Sequence, residues 1–257
     1  TLFRSLAAAE QASQQLFKLD PVSPVARNIL GLIRSHQGRH DEAIGFLAAA
    51  VKADPRSPTN LANHGLVLQA AGRYAAALTS YDSFLKLVPD HPMILVNRAN
   101  TLRGLGRFDD AIAAYDAALA KEPAYAEGHY NRALALSEMG RLEESLAGYD
   151  QAVALRPTFA AAFTNRGNVL RQLGRYDEAL ASYAQGLALD PRNPNAFYNQ
   201  GVTLNDMGRP DEALASYDQA LALAPHFTPA LTNRANLQKA AGRLDAALAD
   251  YDKAIAN

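Results

Sequence analysis

Apolar residues recur along the chain at three- and four-residue spacing, in short runs that Gly and Pro interrupt at fixed intervals. In residues 58–91, Leu61, Gly65, Leu68 and Ala71 share one helical face, and after Gly72 the pattern resumes with Ala77, Leu78, Tyr81 and Leu85. The spacing predicts two short helices per segment. Gly72 separates them, because glycine reaches the positive φ that ends a helix without a Cβ penalty. Pro89 closes the second, since it has no amide to donate to a continuing helix. New helices are expected to open at Ser23-Pro24, Ser57-Pro58, Asn193-Pro194 and Thr228-Pro229, where a capping side chain precedes a proline. Pro210 falls between helices, just ahead of Asp211 and Glu212, where a helix start also suits it.

The interruptions keep one period. Pro21, Pro55, Pro89, Pro123, Pro157, Pro191 and Pro225 lie 34 residues apart, as do Gly38, Gly72, Gly106, Gly140, Gly174, Gly208 and Gly242, each followed by Arg. Tyr81, Tyr115, Tyr149, Tyr183, Tyr217 and Tyr251 keep the same interval. The expected architecture is all-α, a single solenoid of helix-turn-helix units over 1–257. Residues 1–23 read as the second helix of a partial unit, with Ala9 in its repeat position. Full units occupy 24–57, 58–91, 92–125, 126–159, 160–193 and 194–227, and 228–257 is nearly complete. Ala43, Ala77, Ala111, Ala179, Ala213 and Ala247 share one position, with Ser145 as the exception. Gly31, Gly65, Gly167 and Gly201, or Ala99, Ala133 and Ala235, share another. Small side chains there let paired helices approach while Leu and Tyr fill the space beside them. One hairpin cannot bury its apolar face alone, so stability accrues between neighbours.

Composition narrows the function. Lys+Arg 25 against Asp+Glu 26 leaves a net charge of −1, which argues against nucleic acid as a partner. With no cysteine there is no disulfide framework, thiolate nucleophile or Cys-based zinc site, and a reducing, cytoplasmic location fits. The chain is 49% hydrophobic, yet no apolar run approaches the ~18 residues of a membrane span. It begins with Thr and has no signal pattern, so it reads as a piece of a longer protein. Acidic pairs such as Asp109-Asp110, Glu143-Glu144 and Asp177-Glu178 open second helices, where they favourably oppose the helix dipole. His36 and His40 are split by Gly38, and His64, His91, His129 and His226 keep no ligand spacing. Gly104-Leu-Gly106 lacks the third glycine and the preceding strand of a dinucleotide loop. No catalytic residue, metal site or cofactor is expected, and any catalytic domain would lie outside this chain.

Asparagine stands out instead. Asn63, Asn97, Asn131, Asn165, Asn199 and Asn233 hold one position on the first helix of consecutive units, although Asn is a mediocre helix former. A carboxamide donates to a carbonyl and accepts from an N–H, which suits an extended peptide backbone of any sequence. The alternative is a tether between neighbouring helices. A second pattern has twice the period. Asn97-Arg-Ala-Asn100, Asn165-Arg-Gly-Asn168 and Asn233-Arg-Ala-Asn236 are followed by Arg103, Arg171 and Lys239. The units between carry Tyr130 and Tyr198 before the ladder Asn, then Glu138 and Asp206. Either a ligand matches this two-unit spacing, or a duplicated two-unit module pairs Arg103 with Glu138 and Arg171 with Asp206.

The order Gly/Ala, Gly-Arg, Asp-Glu-Ala, Tyr, Ala, Pro at a 34-residue period resembles the tetratricopeptide repeat. Residues 160–193, with Asn165, Gly167, Leu170, Gly174, Tyr176, Ala179, Tyr183 and Pro191, match it throughout. A departure is Arg98, Arg132, Arg166 and Arg234, where the family usually has Leu; their stems are expected to lie along the core with the guanidinium outward. The resemblance implies a right-handed superhelix whose first helices line a concave groove that binds peptides or protein segments. The asparagine pattern is similar to the ladder in the repeat region of O-GlcNAc transferases and bacterial SPINDLY-like proteins. A clamp for C-terminal carboxylates would need lysines beside the ladder, where this chain has Ala62, Val96, Tyr130, Thr164, Tyr198 and Thr232. The leading expectation is therefore a non-catalytic scaffold binding an extended segment. The alternatives are the substrate-recruiting arm of a glycosyltransferase, and a scaffold that self-associates through ends where Leu248, Tyr251 and Ile255 lie exposed.

Overall fold

A computed structural model describes the backbone of residues 2–256 and the side chains of residue 8 and residues 10–256; the side chain of Ala9 lies outside the described residues. Every regular element among them is an α-helix. After α1 (Leu2–Leu19) come seven helix pairs: α2 (Pro24–His36) and α3 (His40–Ala53), α4 (Pro58–Ala70) and α5 (Tyr74–Leu87), α6 (Pro92–Gly104) and α7 (Phe108–Lys121), then α8 (Ala126–Glu138) and α9 (Leu142–Leu155). The series continues with α10 (Ala160–Gln172) and α11 (Tyr176–Leu189), α12 (Pro194–Asp206) and α13 (Pro210–Leu223), and α14 (Thr228–Ala240) and α15 (Leu244–Ile255). The chain divides into two compact units, one ending at Ala135 and one beginning at Leu136. Within each, paired helices pack on one another and first helices touch first helices, α2 on α4 on α6 in one unit and α10 on α12 on α14 in the other.

The punctuation acts through backbone chemistry. Gly38, Gly72, Gly106, Gly140, Gly174, Gly208 and Gly242 all have φ between +70° and +75°. In the turn after α4, the Gly72 amide donates to the Gln69 carbonyl at 3.0 Å and the Arg73 amide to Leu68 at 2.8 Å, which satisfies two orphan carbonyls. Side-chain oxygens of Ser23, Ser57 and Asn193 cap the helices that follow them. Thr228 departs from its expected capping role: it is the first residue of α14, behind Phe227, whose side chain offers no cap. Pro210 opens α13.

Close helix approach rests on the small residues. Ala43, Ala77, Ala111, Ala179 and Ala213 are fully buried, as is Ser145. A Cβ on Gly65 would sit 2.6 Å from Tyr81 Cε1, and one on Gly167 2.5 Å from Tyr183 Cε1, so these rings lie directly over glycine backbone. Tyr81, Tyr115, Tyr149, Tyr183 and Tyr217 are the largest fully buried side chains. Around Tyr81, Leu61, Leu68, Ala77, Phe84 and Ile94 form one cluster, in which Ile94 comes from the next repeat. Burying a side chain of this size stabilises by roughly 1.5–3 kcal/mol, most of it available only once the neighbouring hairpin is in place.

Candidate functional site

The arginines beside the ladder have a structural partner. Arg98 donates to Asp82 at 2.7 Å, and Arg132 to Asp116, Arg166 to Asp150 and Arg234 to Asp218 at 2.6 Å, each Asp lying on the second helix of the preceding repeat. The guanidiniums are thus turned back across the repeat junction. Asp stands sixteen residues before each of these arginines, a spacing that could have been read from the sequence. Arg234 also grips Asp250 through two bonds of 2.7 Å, and that carboxylate is nearly buried. One acidic residue at each of three second-helix starts is likewise occupied: Glu144, Glu178 and Glu212 each take two bonds from the Arg three residues earlier. These bonds hold the Glu178 and Glu212 carboxyls below the usual range.

The two-repeat pattern also has internal contacts. Three of the repeat tyrosines donate through their hydroxyls to the second asparagine of their own repeat: Tyr183 to Asn168 at 2.9 Å, Tyr251 to Asn236 at 2.6 Å, and Tyr115 to Asn100. Burial pushes the phenols of Tyr183 and Tyr217 up to about 12. Arg171 pairs with Asp206 at 3.1 Å. Tyr198 accepts a bond from Asn233 at 3.2 Å, and its ring meets Phe227 edge-on at 5.3 Å between centroids. Arg103 and Tyr130 have partners within the chain. Lys239 is exposed at the end of α14.

The ladder itself divides in two. Asn63 donates to Asn28 at 2.9 Å, and Asn28 donates to Asn60 at 2.9 Å, forming a carboxamide chain between α2 and α4. Asn233 is engaged with Tyr198, and Asn165 has a partner of its own, with Asn168 also 3.5 Å away. The Asn63 and Asn233 carboxamides thus link neighbouring first helices. Asn97 on α6, Asn131 on α8 and Asn199 on α12 differ: each is half-buried, and its carboxamide makes no hydrogen bond to a described residue. Sequence position alone could not separate the two groups, because the distinction depends on Asn28 and Tyr198, which lie on other helices.

The tetratricopeptide-repeat family model matches residues 4–58, 63–126 and 96–160, more than half of the chain. The chain belongs to the tetratricopeptide-repeat (TPR) family. Further TPR models match 149–181, 167–208, 194–227 and 228–249. No curated protein matches it. Among solved structures, it is similar to a tetratricopeptide repeat protein from Parabacteroides merdae, with 21% identity, a TM-score of 0.69, and coverage of 96% of this chain and 93% of that one. The type IV pilus biogenesis factor PilW is 19% identical, with a TM-score of 0.74 and coverage of 81% and 97%. YrrB, described as a TPR protein with an unusual peptide-binding site, is 24% identical over 72% of this chain and 95% of that one, with a TM-score of 0.58. These likenesses establish the TPR solenoid fold. No described helix of this TPR chain is long and apolar enough to cross a membrane.

Proposed function

We propose that this TPR chain is a protein-interaction scaffold that holds an extended peptide segment on the first-helix face. The observation that carries the proposal is the state of Asn97, Asn131 and Asn199: three half-buried carboxamides, one per repeat, without an internal partner. A half-exposed carboxamide keeps its bonds to water, and a backbone laid along α6 and α8, or along α12, would replace those waters with its own N–H and C=O groups. The peptide-binding site named for YrrB is in keeping with this reading. So is the pairing of the ladder arginines with aspartates of the preceding repeat, which occupies their guanidiniums.

The test is a selection of unstructured peptides against the immobilised chain, followed by hydrogen-exchange mapping with the best binder. Protection should appear on α4, α6 and α8 or on α10, α12 and α14. Protection confined to α5, α7, α11 and α13, or the absence of any saturable peptide, would overturn the proposal. Recruitment of substrate to an O-GlcNAc transferase-like enzyme would use the same carboxamides; a catalytic domain in the full gene product would separate that role from a free-standing scaffold.

A further inference from the structure

The junction between α1 and α2 is built unlike those that follow it. At the next junction, Ile44 and Val51 of α3 pack on a cluster that contains Leu61 and Leu68 of α4, both leucines 4% exposed. One repeat earlier the same four positions hold Glu10 and Phe17 on α1 and Arg27 and Arg34 on α2. The later first helices have Leu, His or Phe at the first of the arginine positions, and Leu or, in α14, Gln at the second. Every other second helix has Ile or Leu where α1 has Glu10. Polar bonds stand in for the apolar contact. Arg34 donates to Glu10 at 2.5 Å, Gln37 donates to the other Glu10 oxygen at 3.0 Å, and Arg34 also donates to Gln37 at 2.9 Å. The pair is only partly withdrawn from water, with 12% of the Arg34 side chain and 23% of that of Glu10 exposed. Among the described residues Arg27 has no carboxylate partner; it donates to the Ala49 carbonyl at 3.3 Å. Phe17 meets Phe46 edge-on at 5.9 Å between centroids, and a cleft of about 360 Å3 opens beside them, with Arg27 and Ala49 in its lining.

We infer that α1 is a detachable helix, locked onto the first full repeat by the Glu10–Arg34–Gln37 bonds, which opens by itself while α2 to α7 stay folded. Desolvation of a guanidinium and a carboxylate offsets most of their attraction, whereas Ile and Val against Leu gain the full apolar burial. Arg27 adds a charge at this junction without adding an ion pair. In an array whose stability is a sum of neighbour contacts, the weakest junction opens first and alone. The lock still directs α1 to α2, because a second helix with Ile or Leu in the Glu10 position would leave the Arg34 guanidinium covered and without its carboxylate. Opening presents Arg27, Arg34 and the Phe46 ring to solvent together, a basic surface with an aromatic edge that the docked helix covers.

Native-state hydrogen exchange on the whole chain reads this helix by helix. In the parent chain, α1 amides are expected to exchange at least about 100-fold faster than those of α4 and α5, through an opening that leaves α4 and α5 protected. Glu10→Gln keeps the shape of the side chain and removes its charge, and should speed α1 exchange roughly 5- to 20-fold without moving α4 or α5. Glu10→Ile with Arg27→Leu and Arg34→Leu writes the next junction into this one, and should slow α1 exchange roughly 10- to 100-fold. If α1 exchanged at the rate of α4 and α5 in the parent chain, the junction would be part of one cooperative unit and the inference would fall. A triple variant whose α1 exchanges faster than the parent's would overturn it as well, since the ion pair would then be the stronger junction. Should the triple variant fail to fold, Glu10→Gln decides: an α1 rate equal to the parent's means that the lock holds nothing, and the inference is wrong.

Discussion

The arginine–aspartate series has two gaps, and each gap is complete. Where Ala48 and Ala184 replace the Asp, the residue sixteen positions on is His64 and Gln200 instead of Arg. Writing the missing pair into the second gap, as Ala184→Asp with Gln200→Arg, tests whether the spacing alone builds the contact. In the four existing pairs the Arg side chain is 19–30% exposed and the Asp side chain 43–58% exposed. Ala184 is exposed and Gln200 half-buried, so the new pair would sit in the same setting. Two unit charges about 4 Å apart attract by about 4 kcal/mol at an effective dielectric constant near 20. Immobilising a long Arg side chain removes up to about 2 kcal/mol, and partial desolvation of both groups removes more. The expected coupling is therefore about 0.5–1 kcal/mol, at the upper end for half-exposed pairs. A double-mutant cycle by urea unfolding, run at low salt and again near 1 M where the Debye length is about 3 Å, measures it. Zero or unfavourable coupling at low salt would refute the reasoning, as would a coupling that high salt leaves unchanged.

Two further outcomes follow from the same contacts. Asp250→Ala removes two bonds on the nearly buried side of Arg234 and leaves it Asp218 alone, so it should lower the opening free energy of α14 and α15 amides by about 1–3 kcal/mol, whereas Asp218→Ala, on the exposed side, should cost less than about 1 kcal/mol; hydrogen exchange reads both. The Tyr183 and Tyr217 phenols titrate near 12 in the fold against an ordinary value of 10, so the unfolded chain loses these protons first as pH rises. Their contribution to stability is complete below pH 10 and should fall between pH 10 and pH 12, and Tyr183→Phe with Tyr217→Phe should flatten that part of the pH–stability curve.

The fold was legible because its signals are local and repeated. Glycine in the turn inside each repeat, proline in the turn between repeats and, after the first full repeat, Tyr at a fixed position all act over distances shorter than the repeat period. Thr228 misled for an equally local reason: Phe227 took the capping position, and helix boundaries shift by a residue or two when no side-chain bond fixes them. The candidate site was half legible. The ladder positions could be listed from the period, but the carboxamides that are spoken for are so because of residues on neighbouring helices, Asn28 for Asn63 and Tyr198 for Asn233. The core tyrosines likewise claim Asn100, Asn168 and Asn236, an account of the doubled period that needs no ligand.

The claim that unpartnered carboxamides hold a peptide backbone is tested most directly by Asn97→Ala with Asn131→Ala, melted and titrated beside Asn63→Ala. The double variant removes two carboxamides that make no bond to a described residue, and Ala is the better helix former, so its melting temperature should stay level or rise slightly. Each lost backbone bond is worth about 0.5–1.5 kcal/mol, so affinity for a selected peptide should fall roughly 5- to 150-fold. Asn63→Ala should do the reverse, lowering stability through the broken bond to Asn28 while leaving affinity within about twofold. A double variant that melts early and binds as well as the parent chain would show that these asparagines hold helices together, and the account of the face as a peptide site would be wrong.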